Sequence, residues 1–341
     1  MNVLLTSVGR RDYLVEYFRQ ALQGRGKVVA TNTIAETTGM FAADAAEVVP
    51  PARDPGFIDT LVEICHRHRI RLLCSLHDWE APYIAPHKAR FLAQDTVVAI
   101  PNPKITNVCL DKFETFRLAH SLGVPSPECY VDIKSTLTGL RTGKLSFPLI
   151  LKPRWGQGSI SITKIYRQED LEPEYKRMVE ELTTNNLGYL AGEESDRQVL
   201  FQQLATGQEF GVDIVNDLDG NYVACFVKRK LAMRFGETDA AETVSMPQIE
   251  QYSRKIAAAT RHPGNMDADF FRTEDGRLVL LELNPRFGGG YPFSHMAGAN
   301  VPAAMIAWAT GEKPKPEWLR VKLGEKSFKA IRLVKPPQPE L

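Results

Sequence analysis

Over the first hundred residues, short apolar runs alternate with stretches in which apolar positions recur every three or four residues. The runs are Val3-Leu4-Leu5, Val28-Val29-Ala30, Glu47-Val48-Val49 and Leu72-Leu73-Cys74-Ser75; the helical stretches are 13–22 and 59–68. Fully apolar strands separated by amphipathic helices predict a parallel sheet covered on both faces. This α/β unit spans 1–105 and ends at the breaker Pro101-Asn102-Pro103. The pattern then changes to α+β. A helix opens at Asp111-Lys112-Phe113, runs to about Leu122 and stops at Gly123-Val124-Pro125. Strands are expected at 147–153, along Ile160, Ile162 and Ile165, and at 198–204, 207–213 and 222–227, with a charged helix at 169–182. The expected division is 1–105, 106–195, 196–325 and an extended tail, 326–341.

The chain has 341 residues, more than one core usually organises, so two or three domains are the prior. Lys+Arg 42 against Asp+Glu 41 gives a net charge of +1, and no global field favours nucleic acid or an acidic membrane. No apolar run approaches the roughly 20 residues of a bilayer span, and the start lacks the basic flank and apolar core of a signal peptide. The cysteines (Cys65, Cys74, Cys109, Cys129, Cys225) are odd in number and form no CxxC pair. That pattern suits a reducing cytoplasm rather than a disulfide framework or metal cluster.

The chemistry concentrates at Glu282-Leu283-Asn284-Pro285-Arg286, which follows an apolar run and precedes Gly288-Gly289-Gly290. In a strand, Glu282, Asn284 and Arg286 share a face. Two oxygen-bearing side chains suit Mg²⁺, and the adjacent guanidinium suits an anion. The preceding segment Asp267-Ala268-Asp269-Phe270-Phe271 ends in Glu274-Asp275-Gly276, a hairpin signal that brings Asp269 beside Glu282. Upstream, Lys152-Pro153 leads into Arg154-Trp155-Gly156-Gln157-Gly158-Ser159, a glycine-rich loop suited to covering polyphosphate with backbone N–H groups. It is no Walker loop. Ser7-Val8-Gly9-Arg10-Arg11 lacks GxGxxG and assigns no dinucleotide; Arg10 and Arg11 read equally well as an anion site or as solvated loop charges.

In order and spacing these elements resemble the ATP-grasp superfamily, specifically its carbamoyl-phosphate-synthase-like carboxylate–amine ligases, over roughly residues 1–312. The resemblance implies an ATP-grasp fold of two α+β subdomains preceded by an amino-terminal α/β parallel-sheet (pre-ATP-grasp) domain. It implies ATP with Mg²⁺ or Mn²⁺, small-molecule carboxylate and amine substrates, and a homodimer. Lys112 and Lys152 would contact the phosphates under a lid of Gly156, Gln157, Gly158 and Ser159. Leu204 and its neighbours would meet adenine, and Glu209 the ribose. Gln202 stands where such ligases usually carry Glu, with Gln203 as the alternative register. Asp269, Glu282 and Asn284 would hold the metal, with Asp267 the weaker candidate. Arg286 would hold the acyl phosphate or its parent carboxylate. A bicarbonate-activating carboxylase or carbamoyl-phosphate-type enzyme, and a non-catalytic nucleotide-binding protein, are the rival readings.

Substrate selection falls on less patterned positions. Lys228 and Lys230 share a strand face and Arg229 takes the other; Lys228 is the expected grip on a substrate carboxylate, against the alternative of a solvated charge run. Residues 237–242 read as an acidic loop open to an amine, and Gly288-Gly289-Gly290 as a place of close backbone approach. Asp78 and Glu80 lie at the carboxyl edge of the first sheet, where open α/β sheets bind ligands. His66, His68, His77, His87 and His120 lie outside this constellation, and His295 reads as structural.

Overall fold

The structure, a computed structural model, describes residues 1–156, 161–184, 197–234 and 236–336. Three sheets organise it. The first takes β1 (Asn2–Thr6), β2 (Val28–Asn32), β3 (Ala45–Val48), β4 (Ile70–Ser75) and β5 (Val97–Val98) in the order β3-β2-β1-β4-β5. Every pair in it is parallel, as the apolar runs predict. Helices Asp12–Leu22 and Phe57–Arg67 cover it, and they bury Leu14, Val15 and Phe18, and Phe57, Leu61 and Ile64 respectively.

The second sheet joins β6 (Cys129–Tyr130), β7 (Leu149–Pro153), β8 (Thr163–Ile165) and β9 (Val199–Gln203) in the order β6-β9-β7-β8. The helix Leu171–Thr184 packs Leu171, Met178 and Leu182 onto it. The third sheet is larger and antiparallel: β10 (Gly207–Asn216), β11 (Tyr222–Arg234), β12 (Glu237–Val244), β13 (Gly264–Thr273), β14 (Leu278–Asn284) and β15 (Lys326–Phe328). Its order is β14-β13-β10-β11-β12-β15.

Three expectations need correction. Residues 237–242 are not a loop but the start of β12, which pairs with β11 and β15 on either side. Thr238 and Ala240 are buried there while Glu237 is exposed, an alternation that the acidic composition hides. The segment from 326 does not begin as a free tail, because Lys326–Phe328 forms the edge of the large sheet. Lys329 then reaches Glu237 at 3.1 Å. Helices Pro103–Leu110 and Lys112–Ser121 bridge the two antiparallel sheets instead of belonging to the glycine-loop unit alone. Phe113 and Phe116 pack against Cys129 and Leu200 of the second sheet and the adjoining Val131. Their Ile105, Cys109 and Ala119 pack with Val212, Ile214, Met266 and Leu283 of the large sheet.

The first sheet is not an independent body either. Val3, Leu5, Phe18 and Leu72 share one core with Phe226, Phe287, Tyr291, Val301 and Met305. Close-packed cores transmit position, so the loops at the carboxyl edge of the first sheet are fixed against the 286–290 turn.

Candidate functional site

A cavity of about 620 Å³ lies between the two antiparallel sheets, with the first sheet's β4 loop at one side. Its walls include Lys112, Lys152, Gly156, Gln202, Gln203, Leu204, Glu209, Asp269 and Glu282, which the sequence assigned to nucleotide and metal. Gln157, Gly158 and Ser159 fall outside the described residues.

Lys112 begins a helix whose N-cap is Asp111. The Asp111 carboxylate accepts from the backbone N–H of Phe113 at 2.9 Å and of Glu114 at 3.3 Å. It also takes a buried ion pair from Arg154 Nη2 at 2.7 Å. Lys112 N donates to Arg154 O at 3.1 Å, and Lys112 Nζ donates to Gly156 O. Helix start and loop entrance are therefore tied at three points. Lys152 reaches the cavity from β7 and is 9% exposed. Burial, reinforced by Lys112, lowers its pKa to about 8. Lys112 is lowered as well, chiefly by burial, with Glu282 opposing. Two ammoniums in one desolvated wall make a site that gains from an incoming polyanion.

Gln202 and Ile150 are cross-strand partners and both line the cavity. Gln202 is 3% exposed. Gln203 is engaged elsewhere: its Oε1 accepts from Ser146 N at 2.9 Å. Leu204, Ile150, Met233, Phe271 and Leu281 supply the apolar surface that a base ring requires.

The acidic wall comes from the β13–β14 hairpin, with Asp269 opposite Glu282 and Asp267 opposite Asn284. The register slips by one residue between Asp269 and Phe270, and the extra residue on β14 is Leu281. Such a bulge re-aims side chains, and here Leu281 and Glu282 both reach the cavity. Asn284 Nδ2 donates to Glu282 Oε1 at 3.4 Å, so amide and acid share one face. Burial raises the Asp269 pKa to about 7, with Lys230 opposing. Burial also pushes Glu282 upward, but Lys112 and Lys152 together hold it below the ordinary value. Among the described residues no three His, Cys, Asp or Glu side chains are grouped closely enough to hold an ion. Asp269, Glu282 and Asn284 nevertheless offer hard oxygen donors of the kind Mg²⁺ takes when phosphates and water complete its shell.

Lys228 requires a correction. It is 1% exposed and paired with Asp213, which also accepts from Ser294 Oγ, so its ammonium is spent inside the sheet rather than on a substrate. Of the two β11 lysines, Lys230 is the one that lines the cavity: it pairs with Glu209 and lies 2.7 Å from Asp269. Gly211 explains how both stems cross β10. A Cβ there would stand 3.4 Å from Lys230 Cε and 3.7 Å from Lys228 Cε. Strand alternation put the two lysines on one face, but only the acids they meet separate their roles.

Arg286 does not line this cavity; it stands beside the acidic wall at 10% side-chain exposure. Its Nη2 lies 2.8 Å from Asp78 Oδ2, and its Nη1 lies 3.5 Å from Asp267. Asp78 therefore meets Arg286 rather than standing open at the sheet edge. Glu80 is likewise occupied, accepting from the hydroxyls of Thr6, Ser7 and Ser75. On either side of Asp78 in the chain, His77 and Trp79 enter the cavity wall. Sequence reasoning had placed His77 outside the site. The usable signal was its position after β4, at the carboxyl edge. His295 stacks on Tyr17 at 3.6 Å, consistent with a structural role.

A paired-lysine wall, an acidic hairpin and a leading parallel sheet define an ATP-grasp architecture with an α/β domain before it. The chain has the ATP-grasp fold. Residues 3–99 match the family model "PylC-like, N-terminal domain", and residues 195–327 match "ATP-grasp in the biosynthetic pathway with Ter operon". The chain is similar to acetyl-CoA carboxylase 2 of Oryza sativa subsp. japonica, with 25% identity over 177 residues, 49% of this chain and 7% of the carboxylase. It is similar to D-alanine--D-alanine ligase of Pseudomonas entomophila, with 23% identity over 193 residues, 52% of this chain and 54% of the ligase. Among solved structures, Rhizobium etli pyruvate carboxylase superposes with a TM-score of 0.73 at 19% identity, covering 96% of this chain and 30% of that one. The chain thus spans only part of the relatives it matches. No helix among the described residues is long and apolar enough to cross a membrane.

Proposed function

We propose that this protein is an ATP- and Mg²⁺-dependent, ADP-forming ligase that activates a carboxylate as an acyl phosphate and passes it to an amine. The substrates are small molecules, an amino acid or similar metabolite. The observation that carries the reading is the convergence of Lys112, Lys152, Asp269 and Glu282 on one cavity of about 620 Å³.

Bound Mg²⁺ would supply charge neutralisation and alignment for the phosphates. Lys112 and Lys152 hold phosphate oxygens and stabilise charge on the transferred group. Asp269, Glu282 and Asn284 hold the metal, and Glu209 meets the ribose. Lys230 keeps Asp269 and Glu209 in place until nucleotide and metal arrive. Arg286, oriented by Asp78, faces the carboxylate that becomes the acyl phosphate. Catalysis in this scheme is positioning and electrostatics, with no nucleophilic side chain. A homodimer and a cytoplasmic setting complete the proposal.

The test is a phosphate-release screen over carboxylates and amines, singly and in pairs, with the product identified by mass. Release that needs both partners supports the reading. Release with bicarbonate alone supports the second reading, a bicarbonate-activating enzyme, which the likeness to two carboxylases favours.

A further inference from the structure

Arg11 is the one arginine at the 286–290 turn whose charge the sequence leaves unexplained. The turn before it is tight: Ser7 and Gly9 both have positive φ (51° and 47°), and Arg11 N donates to Val8 O at 2.8 Å. This geometry delivers the Arg11 guanidinium to Phe287, where its Nη1 donates to the carbonyl oxygen at 2.7 Å. Arg286 Nη1 donates to the same oxygen at 3.1 Å. Two guanidiniums therefore converge on one carbonyl.

Their compensation is unequal. Arg286 has Asp78 and Asp267 against it, whereas Arg11 forms no ion pair among the described residues. A partly buried guanidinium that uses one of its five donors, beside a second guanidinium, has donors left for an anion, although Asp78 and Asp267 also lie in its field.

We propose that Arg11 forms an oxyanion subsite for a carboxylate or phosphate group that the substrate carries in addition to the carboxyl being activated. The inference rests on the ligase reading for its meaning, because it says which acids and amines the enzyme selects. Arg286 faces the reacting carboxyl and Arg11 the spectator anion.

The direct test is calorimetric binding of malonate and, separately, of inorganic phosphate to the full chain saturated with MgADP, for wild type, Arg11→Met and Arg11→Lys. The expected result is binding to wild type of one probe, which assigns carboxylate or phosphate. That binding should weaken at least about tenfold in Arg11→Met and be largely kept in Arg11→Lys, as loss of a charge-assisted contact requires. Equal affinity in all three proteins, or no binding of either anion to wild type, overturns the subsite. In turnover, Arg11→Met should raise KM for the anion-bearing substrate and leave KM for ATP unchanged. An unchanged substrate KM also overturns it. If wild type shows no ligase turnover with any pair, the ligase reading fails while the binding comparison still decides the subsite.

Discussion

Asp269 and Glu282 face each other across the β13–β14 hairpin but titrate in opposite directions, because their cationic neighbours differ. Glu282 has Lys112 and Lys152 in its field; Asp269 has Lys230 but also stands against Asp267 and Glu282. Removing Glu282 therefore removes a metal ligand and the counter-charge of two lysines at once. Glu282→Ala is expected to lower ADP formation at least about 100-fold, in the range of lost transition-state electrostatics. Its Mg²⁺ titration should lose saturation. Unchanged turnover would dismiss the metal assignment.

Lys152 sets a pH limit on nucleotide binding. Its pKa in the free protein is about 8, and the protonated form is the one that meets phosphate. Affinity for ATP, measured by fluorescence or calorimetry, should fall as pH rises through about 8, approaching tenfold per pH unit. Arg in its place should remove this limb. Unfolding cannot imitate the effect. Between about 8 and the unfolded value of 10.5 the folded state binds fewer protons than the unfolded one, so this group makes the fold more stable as pH rises.

His262 predicts an acid limit on stability. It is buried, its Nε2 lies 3.0 Å from Ile214 O, and burial lowers its pKa to about 4 from 6.5. The unfolded chain binds the proton first, so stability should decline as pH falls from about 6.5 toward 4, by at most about 3 kcal/mol. Urea midpoints at pH 7 and pH 5 measure it. His262→Asn should flatten that difference, at the cost of lower stability at pH 7.

The Asp111–Arg154 pair should matter for both folding and nucleotide binding. Asp111→Ala removes the carboxylate that the buried Arg154 pairs with, and a cost of about 3–5 kcal/mol is expected in denaturant unfolding. Surviving folded protein should show a raised KM for ATP, because Lys112 loses its helix cap and its tie to the loop entrance. A double change, Asp111→Asn with Arg154→Met, should fold better than Asp111→Ala alone.

Much of this was legible in the sequence, for local reasons. The parallel sheet showed in its apolar runs, and the hairpin in the Asp275-Gly276 turn signal that aligns Asp269 with Glu282. Lys112 and Lys152 were found because each opens or closes an element. What remained hidden depends on partners far away in sequence. Lys228 and Lys230 look equivalent until Asp213 claims one and Glu209 with Asp269 the other. Arg286 was read only as an anion grip because its Asp78 partner, 208 positions away, leaves no local trace. β12 was misread as a loop because its solvent-facing acids outweigh the alternation of Thr238 and Ala240.

The most direct test of the central claim is ADP formation measured with paired substrates, together with the mass of the organic product. The account predicts that ADP appears only when carboxylate and amine are both present, with a product whose mass is their sum less one water. Rapid ADP formation with bicarbonate alone, or an amide product formed without ATP consumption, would contradict it.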